Sequence, residues 1–245
     1  MRVPRIYTEQ PLSSDALVTL EKGPSHHLTK VLRLGIDGAV TLFDGRGAEY
    51  PGVITALGKK TVSVKTGEEQ WRTCESPLSI HLGIAISRGE RMDWVIQKAT
   101  ELGVAAISPL FSERVEVKLS NDRSEKKLRH WKEVVISACE QCGRNTIPLL
   151  SPPQTIPDWL ASTEAAVKFV LHHSAPDGQR EEDVPSTVAL LIGPEGGLTA
   201  AEVEQAENGG YTALRIGPRI LRTETAPLAA IAILQSKWGD MRHGT

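Results

Sequence analysis

The sequence Leu190-Leu191-Ile192-Gly193-Pro194-Glu195-Gly196-Gly197-Leu198-Thr199 joins an apolar strand to a helix through a loop that contains three glycines. Thr199 and Glu202 stand at capping-box spacing, which predicts that a helix begins here. Glycines let the backbone approach a ligand closely and adopt positive φ. Small molecules bind at the carboxyl ends of strands in open α/β sheets. The stretch therefore predicts a ligand-binding loop, although a tight turn without a ligand fits the glycines equally well.

A second strand runs into a Gly-Pro loop and then a helix at Leu214-Arg215-Ile216-Gly217-Pro218-Arg219-Ile220-Leu221-Arg222-Thr223-Glu224-Thr225-Ala226. A glutamate in the first turn compensates the helix dipole, which accounts for Glu224. Arg219 and Arg222 beside a helix N-terminus favour contact with an anion, or an ion pair with Glu224. The two loops contain neither a P-loop nor a dinucleotide fingerprint, so a ligand here is held mainly by backbone groups.

The chain changes character near residues 70–77. Before this point the segments are short and turn-rich, and they predict a small β-barrel with one helix that is capped by Ser25 and ends before Gly35. Its expected elements are strands at 40–43, 49–56 and 61–66 and a helix at 25–34. After it, strands alternate with helices, which predicts a mostly parallel sheet covered on both faces. The expected strands are 78–86, 104–110, 167–171, 188–192 and 212–216, and the expected helices are 91–102, 124–142, 199–208 and 224–238.

Composition excludes several classes of protein. The chain has 245 residues, which is ample for two domains, and a net charge of −2, which does not by itself predict a nucleic-acid partner. No apolar run approaches the roughly 20 residues that span a bilayer, and no signal peptide is expected. Three cysteines favour a reducing cytoplasm over a disulfide framework. Cys139 and Cys142 have the spacing of half a zinc site, but without a second ligand pair we expect no metal.

The two loops resemble the paired loops of the SPOUT superfamily of knotted RNA methyltransferases. Much of the remaining chain is similar to one member family, the 16S ribosomal RNA uridine-N3 methyltransferases (RsmE type). The similar segments are Arg2 to Tyr7, His27 to Arg33, Ser87 to Met92, Gln97-Lys98 with Glu101 to Gly103, Ser112-Glu113-Arg114, and Ala138 to Arg144. The resemblance therefore spans nearly the whole chain.

This resemblance implies a fold that spacing does not show. It implies a PUA-like RNA-binding barrel over residues 1–72 and a SPOUT α/β domain over residues 73–245, with a C-terminal trefoil knot and a homodimer. S-adenosyl-L-methionine is then expected in the knot. The implied cofactor residues are Leu171, His172, Ile192, Gly193, Pro194, Glu195, Gly196, Gly197, Ile216, Gly217, Leu221, Arg222 and Thr223. His172-His173-Ser174 departs from a His-Pro pattern in the family, so no role is assigned to His173.

The implied reaction methylates N3 of a specific uridine in 16S ribosomal RNA of the small subunit. N3 is a weak acid, so its proton must be removed and the resulting anion stabilised. Arg222 is the expected stabiliser, and Glu195 or Glu224 is the expected proton acceptor. The expected RNA-binding residues are Arg2, Arg5, Lys30, Arg33, Arg88, Arg91, Lys98 and Arg144. Aromatic residues are scarce, and Tyr7 is the candidate for stacking on a base or, alternatively, a core residue.

Two alternatives stay open at the level of sequence. The same fold can methylate another RNA position, such as a tRNA ribose or a guanine. A non-catalytic, ribosome-associated RNA-binding protein can also retain the fold. The intact loop from Gly193 to Gly197 and the presence of Arg222 favour an enzyme, and the small front domain together with 138–144 favours ribosomal RNA.

Overall fold

The computed structural model describes residues 3–72, 74–114, 121–172 and 184–241. The chain forms two compact units. The first unit comprises residues 1–75 and 136–147, and the second comprises residues 76–135 and 148–245. The sequence did not predict that 136–147 pack with the first unit, because the helical pattern continues through this segment without a break. Within the described ranges, no helix has the length and apolarity needed to cross a membrane.

The first unit contains a six-stranded mixed sheet in the order β1-β3-β4-β5-β2, with β6 on β4. Its strands are β1 (Arg5–Tyr7), β2 (Leu17–Thr19), β3 (Ala39–Phe43), β4 (Ala48–Leu57), β5 (Val62–Thr66) and β6 (Gln70–Trp71). The pairing of β1 with β3 is parallel, and the other pairings are antiparallel. The strands expected at 40–43, 49–56 and 61–66 are confirmed within about two residues, which is the usual uncertainty of element ends.

The helix of the first unit differs from the sequence prediction. It begins at Lys22 as α1 (Lys22–His26) and continues as a π-helical turn (His27–Val31). The expectation that Ser25 caps the helix is wrong, because Ser25 is buried inside the helix. Its hydroxyl donates to the Leu20 carbonyl at 3.1 Å and accepts from the Val62 N–H at 3.0 Å. Ser25 therefore links the helix to strand β5 by a hydrogen bond.

The segment 136–147 adds buried polar groups to the first unit. The Glu140 carboxylate accepts from the Tyr7 N–H at 3.0 Å, and burial raises the pKa of Glu140. Cys139 is fully buried, and burial raises its pKa to about 12. A thiol with such a pKa is unreactive near neutral pH. The Cys139-x-x-Cys142 segment therefore behaves as part of a packed helix.

The second unit contains a seven-stranded sheet in which every pairing between strands is parallel. Its order is β10-β8-β7-β12-β11-β13, with β9 on β8. The strands are β7 (Ser79–Ala85), β8 (Ala106–Phe111), β9 (Leu149–Leu150), β10 (Gln154–Thr155), β11 (Val167–Leu171), β12 (Thr187–Ile192) and β13 (Thr212–Leu214). The apolar run from 188 to 192 is buried throughout, as expected for a strand covered on both faces.

Within the described part of the chain, five helices follow the first strand of this sheet in sequence, and the last seven residues of α3 belong to the first unit. They are α2 (Arg91–Glu101), α3 (Asn121–Cys142), α4 (Ile156–Ser162), α5 (Ala200–Asn208) and α6 (Ala226–Trp238). The helix α4 was not predicted, because its seven residues are too few to show a clear helical period. Trp159 of α4 lies against the sheet at Gly83, where an added Cβ would be 2.6 Å from the indole ring. Gly83 thus makes room for the largest side chain of this core.

Candidate active site

The carboxyl ends of three neighbouring strands surround one cavity of about 300 Å³ in the second unit. These strands are β12, β11 and β13, which are adjacent in the sheet. The lining residues are Arg114, Leu171, His172, Ile192, Gly193, Pro194, Glu195, Gly196, Gly197, Leu198, Leu214, Arg215, Ile216, Gly217, Arg219, Ile220, Leu221, Thr223 and Ala226. The tertiary structure therefore brings the two glycine-containing loops together at the sheet edge where α/β folds bind ligands.

The loop after β12 has no room for a side chain at Gly193. An added Cβ at Gly193 would lie 2.8 Å from Leu198 Cγ and 2.9 Å from Leu198 N. Gly197 has a φ of 69°, and its N–H donates to the Pro194 carbonyl at 2.8 Å. The loop is therefore a tight turn whose main chain borders the cavity directly.

The helix that follows this loop begins with the capping box that the sequence predicted. The Glu202 N–H donates to the Thr199 hydroxyl at 3.2 Å, and the Thr199 N–H donates to Glu202 Oε2 at 2.7 Å. Both contacts satisfy N–H groups that a helix start leaves without intrahelical partners. The expectation of a helix start at Thr199 is confirmed.

Glu202 has a second partner that local sequence does not reveal. Its Oε1 atom accepts from the Glu113 N–H at 2.9 Å, so the buried carboxylate joins α5 to the segment after β8. The next residue, Arg114, donates from Nη1 to the Gly196 carbonyl at 2.6 Å. Glu202 and Arg114 therefore connect α5 and the loop at 193–197 to the segment that follows β8.

We expect Glu202→Gln to lower the free energy of unfolding by about 2 kcal/mol, the scale of a hydrogen bond to a charged group. A glutamine has one acceptor oxygen, so its NH2 group would face either the Thr199 N–H or the Glu113 N–H. Urea denaturation measures the effect, and Glu204→Gln on the exposed face of α5 is the matched control. Equal midpoints for the two variants would contradict this role of Glu202.

The loop also carries an ion pair at its rim. Glu195 Oε1 lies 3.0 Å from Nη1 of Arg91, at the start of α2, and both side chains are partly exposed. Arg91 is one of the residues predicted to bind RNA, and in the structure its guanidinium is paired with Glu195. Glu195 is thus positioned at the cavity, where it borders the space available to a ligand.

The loop after β13 supplies the opposite wall. Gly217 has a φ of 118°, which strongly favours glycine. The Arg222 carbonyl accepts from the N–H groups of Thr225 and Ala226 at 2.9 Å, and this turn starts α6. The side chains of Arg222 and Glu224 do not line the cavity. Of the three described catalytic candidates, Glu195 alone lines it.

The cofactor residues expected from the resemblance all line the cavity except Arg222. The Arg222 side chain is exposed and does not line the cavity. Lining residues outside the implied cofactor set are Arg114, Leu198, Leu214, Arg215, Arg219, Ile220 and Ala226, of which Arg219 had been predicted to contact an anion. Arg114 could have been named from the sequence, because the Ser112-Glu113-Arg114 segment is part of the resemblance. Its contact with the loop at 193–197 could not, because that contact joins segments that are distant in the sequence.

The residues that were expected to bind RNA differ in how exposed they are. Lys30, Arg33, Arg88 and Arg91 are exposed, and Lys98 is half-buried with its Nζ 2.7 Å from Glu101. Arg2 and His173 lie outside the described residues. Tyr7 is half-buried, and its ring lies 5.7 Å from the ring of Phe43, which places it against the sheet of the first unit.

Arg5 and Arg144 require a correction. Arg5 is 8% exposed and Arg144 is 3% exposed, so neither presents a free surface cation. Arg5 pairs with Glu49 and with the Asn145 side chain, while Nε of Arg144 lies 3.1 Å from both Glu75 carboxylate oxygens. Burial of a guanidinium is tolerated here because each is paired within the first unit. Both guanidinium groups are therefore engaged by partners inside the first unit and are not placed to contact phosphate.

Comparison with known proteins agrees with this geometry. Residues 74–235 match the family model of an RNA methyltransferase domain, and residues 23–66 match that of an RNA methyltransferase PUA domain. The chain is 40% identical over 242 residues to the ribosomal RNA small subunit methyltransferase E of Buchnera aphidicola from Schizaphis graminum, covering 98% of both chains. The corresponding protein of Bacillus subtilis is 30% identical over 237 residues, covering 93% of both chains.

Two solved structures extend the likeness to the fold. A methyltransferase from Legionella pneumophila in complex with the cofactor SAM is 40% identical, with a TM-score of 0.95 over 98% of this chain and 100% of that one. The ribosomal RNA small subunit methyltransferase E of Neisseria gonorrhoeae bound to S-adenosyl methionine is also 40% identical, with a TM-score of 0.91 over the same shares. On its sequence, its paired glycine loops and its two domains, this chain belongs to the ribosomal RNA small subunit methyltransferase E family of RNA methyltransferases.

Proposed function

We propose that this protein transfers a methyl group from S-adenosyl-L-methionine to N3 of a uridine in 16S ribosomal RNA of the small subunit. The observation that carries the proposal is the cavity formed by the loops at 193–197 and 216–223. Relatives that share 40% identity along nearly the whole chain are small-subunit ribosomal RNA methyltransferases, and one was crystallised with this cofactor.

The cavity has the chemistry needed to hold the cofactor. Its volume of about 300 Å³ lies at the lower end of the range for small-molecule sites. Ile192, Leu198 and Leu221 supply apolar contacts for an adenosine, and the glycines leave main-chain groups accessible to its polar edges. The bound cofactor supplies an electrophilic methyl group on a sulfonium.

The protein's own residues must then handle one proton and one negative charge. The bond from N3 to the methyl carbon forms as the bond from that carbon to sulfur breaks, and the N3 proton passes to a base. We assign the base to Glu195, because it borders the cavity whereas Glu224 does not. We assign Arg222 to the uracil oxygens, where the charge of the deprotonated ring develops, because these oxygens belong to the RNA and lie outside the cofactor cavity, as the exposed Arg222 side chain does. Alignment of nitrogen, carbon and sulfur by the pocket supplies a further part of the rate enhancement.

We also propose that the protein forms a homodimer and that its C-terminal segment forms a trefoil knot. The helix α6 is apolar nearly all round, a pattern typical of a buried helix, yet its Ile233 side chain is 41% exposed. Trp94 on the neighbouring helix α2 is exposed as well. A second copy of the chain would cover this surface. Action on ribosomal subunits would place the protein in the cytoplasm.

We expect Ile233→Arg to convert a dimer to a monomer, since a buried unpaired guanidinium at an apolar interface is costly. Light scattering should then report a fall from twice the chain mass to 26.6 kDa. Glu207→Lys on the exposed face of α5 is the control and should leave the mass unchanged. A monomeric wild-type protein, or a dimeric Ile233→Arg variant with an unchanged melting curve, would contradict this interface.

The reaction is tested with the full-length protein, the cofactor and small subunits from a strain that lacks the gene. Mass spectrometry of nucleosides from the 16S RNA should show 3-methyluridine only after incubation with the enzyme. A ribose-methylated nucleoside or a methylated guanine would support the alternative RNA target. Absence of both methyl transfer and heat in a cofactor titration would support a non-catalytic RNA-binding protein.

A further inference from the structure

Arg91 stands at a place where helix electrostatics do not favour a cation. It is the first residue of α2, and the side chain of Glu90 before it makes no capping hydrogen bond. The N-terminus of a helix carries a partial positive charge, so a guanidinium there is disfavoured unless an anion lies beside it. Glu195 supplies this anion, with its Oε1 atom 3.0 Å from Nη1 of Arg91. The contact joins residues that are 104 positions apart, so it belongs to the tertiary structure.

The helix start that carries Arg91 is firmly anchored. The Asp93 carboxylate in its first turn accepts from Nε1 of Trp131 at 3.1 Å and lies 2.7 Å from Nε2 of His130, so it joins α2 to α3. Trp131 itself is fully buried. The fully buried apolar side chains of α2 are Met92, Val95, Ile96 and Ala99. A side chain on such a rigid element orients its partner more precisely than one on a loop.

The two oxygens of the Glu195 carboxylate differ in their contacts. Oε1 is paired with Arg91, whereas Oε2 has no hydrogen-bond partner within the ranges that the structure describes. A carboxylate whose one oxygen is held can present the other in a fixed direction. One oxygen thus serves as the anchor, and the other is available to accept a proton.

The main chain of the loop does not depend on Arg91. The Gly197 N–H donates to the Pro194 carbonyl at 2.8 Å, and Arg114 Nη1 donates to the Gly196 carbonyl at 2.6 Å. These contacts hold the backbone that borders the cavity, and the contact with Arg91 holds only a side chain. Loss of Arg91 should therefore release the Glu195 carboxylate and leave the cofactor cavity in place.

Stability does not account for this ion pair. The Arg91 side chain is 48% exposed and the Glu195 side chain is 39% exposed. Ion pairs with this much exposure contribute little to the free energy of unfolding, because water and salt screen them. The effect of the contact is to set the direction of a carboxylate at the cavity.

We propose that Arg91 is a positioning residue for the proton-transfer step, in which it holds Oε1 of Glu195 so that Oε2 faces the N3–H of the target uridine. This inference rests on the proposed function, since it takes Glu195 to be the base. The N3 proton passes to Oε2 while N3 bonds to the methyl carbon, and the electron pair of the broken carbon–sulfur bond stays on sulfur as a neutral thioether. A base that is itself oriented by a third group is a recurring catalytic arrangement.

This role differs from the phosphate contact that the sequence predicted for Arg91. A phosphate contact would require the guanidinium to leave Glu195, and its loss would weaken RNA binding and lower the salt dependence of that binding. Loss of a positioning residue would instead slow the chemical step and leave RNA binding unchanged. The two roles therefore separate in kcat and KM.

Steady-state methylation with the full-length protein, S-adenosyl-L-methionine and unmethylated small subunits tests the role. Arg91→Met should lower kcat by about 10-fold to 100-fold, the scale of a small misplacement of a reacting group. The KM for subunits, its salt dependence and the calorimetric affinity for the cofactor should stay close to wild type. Arg91→Lys should give an intermediate kcat, because its ammonium can still donate to Oε1. The matched control is Arg129→Met, which breaks an exposed ion pair with Glu125 on α3 and should leave kcat unchanged.

A double-mutant cycle gives the decisive comparison. Glu195→Gln should lower kcat by about 100-fold, the loss expected when a general base is removed. The variant that combines Arg91→Met with Glu195→Gln should be no slower than Glu195→Gln alone, because Arg91 acts only through this carboxylate. Two residues that act independently would multiply their losses.

The outcomes separate this inference from the proposed function. Losses that multiply in the double variant overturn the positioning role, and so does a raised KM with weaker salt dependence at an unchanged kcat. Full activity of Glu195→Gln also overturns it, because no base would then remain for Arg91 to orient. In these three cases methyl transfer by the wild type leaves the proposed function standing. A wild type that transfers no methyl group to the subunits overturns both.

Discussion

Gly193→Ala is expected to weaken binding of S-adenosyl-L-methionine by at least about 100-fold, or about 2.7 kcal/mol. The added Cβ would lie 2.8 Å from Leu198 Cγ and 2.9 Å from Leu198 N, and the second of these atoms is backbone. A clash with backbone is not relieved by a change of rotamer, so the loop from Gly193 to Leu198 must shift. Because this loop lines the cavity, a shift changes the shape of the site.

Isothermal titration calorimetry measures this loss directly. Gly35→Ala is the matched control, since an added Cβ there meets no atom within 4 Å and the residue does not have a positive φ. Circular dichroism of the ligand-free variants checks that both retain the fold. Cofactor affinity for Gly193→Ala within twofold of the wild type would show that the loop does not form the binding site.

Arg222→Ala is expected to lower kcat by 100-fold to 1,000-fold, on the order observed when one donor to a developing anion is removed. The affinity for the cofactor should stay close to that of the wild type, because the Arg222 side chain is outside the cavity lining. Arg222→Lys should recover part of the rate, since it keeps the charge but lacks the planar fork of donors. Single-turnover methylation of small subunits, combined with a cofactor titration, separates the two effects.

The control for this variant is Arg129→Ala, which removes an exposed arginine from α3. An exposed ion pair of this kind contributes little to stability, so the control should behave as the wild type. If Arg222→Ala raised KM at an unchanged kcat, Arg222 would be an RNA-binding residue and not a stabiliser of charge. A large loss of cofactor affinity would instead return it to the cofactor site.

The two loops were accessible from sequence because their requirements are local. Gly193 lies where a side chain would clash with its neighbours, and Gly197 and Gly217 adopt a positive φ. Glycine in the sequence indicates both kinds of position directly. The pair Thr199 and Glu202 satisfies helix N–H groups three residues apart, and this contact needs no other part of the chain. The apolar runs that became β11 and β12 are equally direct, since a strand buried on both faces has few polar positions.

Other features depend on residues that are distant in the sequence. The bond between Glu202 and the Glu113 N–H spans 89 positions, and the bond between Arg114 and the Gly196 carbonyl spans 82. Arg5 and Arg144 gave the wrong prediction for the same reason. A basic residue in a polar stretch is usually a surface residue, and only its partners across the chain reveal that it is buried.

The sequence by itself determined the alternation of strands and helices, the two glycine loops, the capped start of α5 and, through its motifs, the methyltransferase family. The tertiary structure alone decided that the loops share one cavity, that Arg114 and Glu202 hold its wall, and that segment 136–147 belongs to the first unit. The physical reason is range. Periodicity, capping and glycine conformations act over a few residues, whereas burial, ion pairing and cavity shape depend on which distant segments the folded chain brings into contact.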